Sequence, residues 1–181
     1  MQTISLSALQ DPDGVSELCR KTVEPVRVEV DGRSDLVVMS MDAFRRLKPY
    51  VEAQHLYKKL MSCPQYDFDQ LKPSMLPEDE AGVYVIFLKN TGETLYVGRT
   101  KKLRRRLYTN HLMGPMTNAR LKKYLVEDER YPDVEDLKAA KKFLKEYCAF
   151  RYLVEPDTEK RGRLEGLFAF LMNVRYIDEE H

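Results

Sequence analysis

Apolar and polar side chains alternate at Thr3 to Ser7 (TISLS), which predicts a short strand, and Ser16 to Lys21 is read as a helix. Pro25 to Ser40 (PVRVEVDGRSDLVVMS) is a hairpin: VRVEV, a turn at Asp31-Gly32, then DLVVM. Ser40 caps a helix over MDAFRRL, and a second amphipathic helix is expected from Tyr50 to Met61. The aliphatic periodicity then stops. Residues 63–80 (CPQYDFDQLKPSMLPEDE) carry Pro64, Pro73 and Pro77 and read as a boundary. A strongly apolar strand follows at Ala81 to Lys89 (AGVYVIFLK), with a turn at NTGE and a returning strand at Thr94 to Gly98 (TLYVG). Helices are expected just after Gly98, near Asn118 to Asp128 and from Val134 to Glu146. Cys148 to Val154 (CAFRYLV) is a further strand, and Arg161 to Met172 is a closing amphipathic helix. The order of elements predicts an α+β protein of two small domains, the first over 1–62 with the order strand, helix, hairpin, helix.

With 43% hydrophobic and 33% charged residues in 181, the chain has enough apolar material for packed cores. No apolar run approaches membrane-spanning length. The N-terminus lacks the basic and apolar regions of a secretory signal, so a cytoplasmic protein with no membrane partner is expected. The three cysteines, Cys19, Cys63 and Cys148, are too far apart for a Cys-x-x-Cys site and read as reduced thiols.

Charge changes the picture more than composition does. The net charge is +1, yet Leu95 to Tyr124 holds nine Lys/Arg and no Asp or Glu. Residues 1–72 are nearly balanced, with ten Lys/Arg against eleven Asp/Glu. A concentrated basic block in a balanced chain points to a polyanion partner or, equally, to a solvated basic helix.

The pieces MQTISLSAL and EPVRVEVDGRSDLVVMSMDAFRRL, with the helix after them, resemble the Phd/YefM antitoxin family in order and spacing. The resemblance covers about residues 1–62 and implies a homodimer, operator binding and a tail that covers a toxin. Two departures weaken operator binding. Pro12 and Gly14 should delay or break the first helix, and Glu29 and Asp31 place negative charge where DNA would lie.

Gly82-Val83-Tyr84, Tyr96-Val97-Gly98, Arg106 eight residues after that glycine, and Glu165 on a late helix resemble the GIY-YIG nuclease family over about residues 79–181, with 63–78 as linker. The resemblance implies a three-stranded antiparallel sheet flanked by helices. It also implies an active site of two tyrosines, an arginine and one metal-binding glutamate. Tyr84 and Tyr96 can point the same way across the hairpin. A tyrosine has a pKa of about 10 and needs nearby cations to act as a base. Arg106 and Lys102 could supply them, and a guanidinium binds phosphate through paired hydrogen bonds. Glu165 is a hard oxygen ligand suited to magnesium, with manganese as an alternative.

Each residue also has a plainer reading. The tyrosines could be cross-strand core aromatics, Arg106 one of several solvated cations, and Glu165 a surface partner of Arg161. The family often has a histidine near His111 as base or phosphate ligand, which places His111 with the catalytic residues, but Asn110 has the better helical spacing from Arg106, so the reading of His111 is evenly balanced. An Asn usual in the family is replaced by Ile177, with Asn173 the nearest substitute. Arg99, Lys101, Lys102, Arg104, Arg105 and Asn110 are expected to contact the nucleic-acid backbone.

The expected function is a metal-dependent endonuclease acting on nucleic acid, DNA in preference to RNA. It would be tethered to an antitoxin-like module, with the acidic PEDE segment, or the module itself, restraining the basic groove. The alternative is a non-catalytic regulator that binds nucleic acid through the same fold.

Overall fold

A computed structural model describes residues 1–22 and 24–177. The chain divides into two compact units, Met1–His55 and Leu56–His181.

In the first unit, β1 (Thr3–Ser5) pairs in parallel with β2 (Val26–Val30), which forms a hairpin with β3 (Arg33–Val38). The turn residues Asp31 and Gly32 both take positive φ, 49° and 74°, the geometry that Asp-Gly hairpins select. Helix α1 runs over Pro12–Lys21. A 3-10 turn over Leu6–Gln10 ends at Asp11 and α1 starts afresh at Pro12, so the helical run is broken as expected, and Pro12 and Gly14 then open α1. Asp11 accepts a hydrogen bond from the Gly14 amide at 3.0 Å, and proline suits the first helical position because its missing donor is not needed there. Helix α2 (Met41–Ser62) is continuous where two helices were expected. Pro49 removes one amide donor, but the flanking Arg46, Leu47, Glu52 and Ala53 are good helix formers.

Among the described residues, the second unit is built on a four-stranded antiparallel sheet in the order β4 (Tyr66–Asp67), β7 (Cys148–Val154), β5 (Gly82–Leu88), β6 (Thr94–Thr100). Its two faces carry separate cores. Tyr84, Ile86, Leu88, Tyr96 and Phe150 pack with leucines of a π-helix (Arg105–Met113), α3 (Arg120–Glu127) and α4 (Leu137–Tyr147). Val83, Val85, Val97 and Leu153 pack on Leu164 and Phe168 of α5 (Thr158–Leu171).

Residues 63–78, expected as a linker, are part of this unit. Tyr66 and Asp67 pair with Phe150 and Ala149, which adds a fourth strand to the expected three. Phe68, Leu71 and Leu76 are buried in the first core. The segment that carries the three prolines clusters with the second unit. Phe68→Ala should therefore destabilise the chain by about 3–5 kcal/mol in urea unfolding; an unchanged midpoint would mean that the segment is a detached connector.

Candidate active site

Strand register brings the tyrosines together. Tyr84 lies opposite Gly98 and Ile86 opposite Tyr96, so both tyrosines leave the same face of the sheet. Their ring centroids are 6.3 Å apart. Gly98 has a steric reason to be glycine: a Cβ there would stand 2.5 Å from the Tyr84 hydroxyl oxygen and 2.6 Å from its ring. The tyrosine ring lies across the strand where a side chain would otherwise be.

The basic segment after β6 winds as a π-helix, in which each amide reaches back five residues. The wider turn swings the residue five positions on away from the far side of the helix and toward the face of Arg106. His111, rather than Asn110, shares a partner with Arg106. Arg106 Nε donates to the Tyr84 oxygen at 2.8 Å, and His111 Nε2 lies 2.9 Å from the same oxygen. Arg106 also donates to the Asn118 carbonyl at 2.8 Å. The His111 ring meets both tyrosine rings nearly edge-on.

Proton positions follow from these contacts. Arg106 can only donate, so the Tyr84 oxygen accepts there and its own proton is left for His111 Nε2. Such a ring carries its proton on Nδ1, which has no partner among the described residues. Burial pushes His111 well below the usual histidine range, with Arg106 and Lys122 acting the same way, so the imidazole is neutral. Burial also raises Tyr84 and Tyr96, against the pull of Arg106. The arrangement is a neutral proton chain beside a fixed cation.

Glu165 arrives from α5, on the other face of the sheet, at the end of β6. Its carboxylate accepts from the Arg99 amide at 3.1 Å and pairs with Arg99 Nε at 2.9 Å. Arg99 in turn lies over Gly162, where a Cβ would meet its guanidinium at 2.5 Å. Burial raises the Glu165 carboxyl, opposed by Arg99 and Arg106. Arg161, the alternative partner, is turned to the Glu155 and Pro156 carbonyls instead. Among the described residues there is no group of three His, Cys, Asp or Glu that could cage a metal. A single half-buried carboxylate fits a magnesium-type ion that keeps most of its water.

The remaining basic residues divide. Lys101 and Arg105 are exposed. Lys102 pairs with Asp79 at 2.9 Å. Arg104 pairs with Glu78 and donates to the Leu76 carbonyl through Nε and Nη2. Asn110 contributes its carbonyl to Lys122. Asn173 takes a left-handed conformation just beyond α5, and Ile177 is exposed. Sequence reading missed Lys122 as a buried group. The signal was its place beside Leu121 and Leu125 on the inner face of α3.

Residues 80–153 match the family model of the GIY-YIG catalytic domain. That family is made up of nucleases, which act on nucleic acid. The matched span holds Tyr84, Tyr96, Arg106 and His111, and ends in β7, before Glu165. No curated protein and no solved structure matches the chain. Among the described residues no helix is long and apolar enough to cross a membrane.

The buried neutral His111 sets a pH dependence. Its folded pKa lies below the unfolded value of about 6.5, so the unfolded chain takes up a proton first as pH falls. Stability should therefore drop below about pH 6.5, by up to about 1.4 kcal/mol per pH unit from this group. Urea unfolding at pH 7.5 and 5.5 should show that loss, and His111→Gln should reduce it. An equal loss in the variant would mean that His111 is not the group involved.

Proposed function

We propose that the chain is a metal-dependent endonuclease that hydrolyses phosphodiester bonds, in DNA rather than RNA. The observation that carries this is the convergence of Arg106 and His111 on one Tyr84 oxygen, with Tyr96 beside it, inside the span that matches the catalytic domain.

Arg106 is the half-exposed member of the set, and a phosphate meets it first. Taking up its N–H groups frees the Tyr84 oxygen to receive a proton from water, while the Tyr84 proton passes to His111 Nε2. The hydroxide oxygen then bonds to phosphorus as the bond to the leaving oxygen breaks. Arg106 stays against the phosphoryl oxygens, where charge develops. Glu165 would hold a magnesium ion, or manganese, which when bound neutralises charge on a phosphoryl and the leaving oxygen. Exposed Lys101 and Arg105 suit flanking phosphates, which give affinity without sequence reading.

The unit Met1–His55 is read as an antitoxin-like module for dimerisation or regulation, supported by its order of strand, helix, hairpin and helix. Sedimentation of the full chain should give a dimer, and a monomer at high micromolar concentration would count against that role.

For the catalytic reading, plasmid DNA and a structured RNA incubated with magnesium should show cutting of the DNA. EDTA should abolish it, and Glu165→Ala or Arg106→Ala should lower it by at least about 100-fold. Equal, salt-sensitive binding by wild type and variants with no cutting of either substrate would replace the enzyme with a nucleic-acid-binding regulator.

A further inference from the structure

Lys122 is fully buried on α3, and its hydrogen bonds among the described residues go to carbonyl oxygens rather than to a carboxylate. Nζ donates to the carbonyls of Asn110 and Gly114, each at 2.7 Å. Lys141, from α4, donates to the Met113 carbonyl at 2.7 Å. Two lysines from two other helices thus close the carbonyl end of the π-helix, where a cation is favoured. Burial brings Lys122 down to about 8, with Lys141 and Arg106 acting the same way. A methionine would fill the same space without desolvating a charge.

The reason for a lysine lies in one carbonyl. In a four-residue winding, the Asn110 oxygen would accept from the Gly114 amide. Here that amide goes to Thr109 instead. In the five-residue winding, the partner of Asn110 would be residue 115, which is Pro115 and has no N–H. The Asn110 carbonyl is therefore an orphan of the π-winding, and Lys122 Nζ takes the place of the absent amide. Left unpaired in the interior, that oxygen would favour a return to the four-residue winding.

We propose, on the nuclease reading above, that Lys122 is a positioning residue: by binding the Asn110 carbonyl it holds the winding that sets His111, rather than Asn110, on the Tyr84 hydroxyl. His111 is faced by Tyr84 and Tyr96 from the sheet, by Arg106 from its own helix and by Lys122 from α3.

The test is Lys122→Met in the full chain, read in two ways. In imidazole 15N NMR, His111 is one of three histidines and is assigned by its loss in His111→Gln. In Lys122→Met the Nε2 signal should lose the shift of a nitrogen hydrogen-bonded to the Tyr84 hydroxyl, a change that loss of the Lys122 charge alone does not bring about. In cleavage assays the rate at saturating DNA should fall by about 100-fold with little change in half-saturation, and Lys122→Arg, which keeps the N–H donors, should recover part of it. A His111 Nε2 signal that keeps that shift in a folded Lys122→Met overturns the proposal. If that variant does not fold, Lys122→Gln takes its place. If neither folds, the proposal is also overturned, because the lysine then serves the stability of the unit as a whole. A wild type that cuts nothing would end the nuclease reading, while the NMR result would still decide the winding.

Discussion

The amide of Gly114 reaches back to Thr109 rather than to Asn110, and the make-up of the site depends on that one residue of difference. A helix wound four residues per hydrogen bond would carry Asn110 in line with Arg106. Wound with five, it turns His111 toward the same face, and both side chains meet the Tyr84 oxygen. Runs of this winding are rare and tend to occur at functional sites. Here the winding is supported by what it buries: Leu107, His111 and Leu112 all lie in the core beneath it.

The sheet supplies the other half of the geometry. Tyr84 can lie flat across β6 because Gly98 leaves the space open. The two faces of the sheet then do different work. One carries the tyrosines under the π-helix, and the other seats α5, whose Glu165 comes to the end of β6 and is held by Arg99. The same burial that orders the tyrosines and the histidine keeps all three neutral, and the guanidinium of Arg106 is the charge that acts on all three, with Lys122 adding to it at His111 and Glu165 opposing it at the tyrosines.

Much of the basic block is engaged with the protein itself. Arg104 and Lys102 are bound by Leu76, Glu78 and Asp79, and Arg99 by Glu165. Ion pairs this exposed add little stability. Their effect is to place the segment before β5 against the start of the basic helix. That leaves Lys101 and Arg105 as exposed cations beside Arg106.

Strand alternation, the Asp31-Gly32 turn, the paired tyrosines and the special standing of Arg106 were legible in the sequence, because each depends on residues close together along the chain. Period-two alternation places Tyr84 and Tyr96 on one face whatever surrounds them. The leucines at 103, 107 and 112, spaced first by four and then by five, held a trace of the π-winding. The winding itself could not be read, since it rests on Lys122 from a separate helix and on Pro115 lacking an amide hydrogen. The role of residues 63–78 was hidden for a similar reason: three prolines resemble a linker until β7 offers an edge for Tyr66 and the core a place for Phe68. The sequence by itself determined which side chains were available and on which face of a strand they stood. Tertiary structure decided between His111 and Asn110 and gave Glu165 its partner, because long-range contacts set the helical winding and bring distant chain segments to one point.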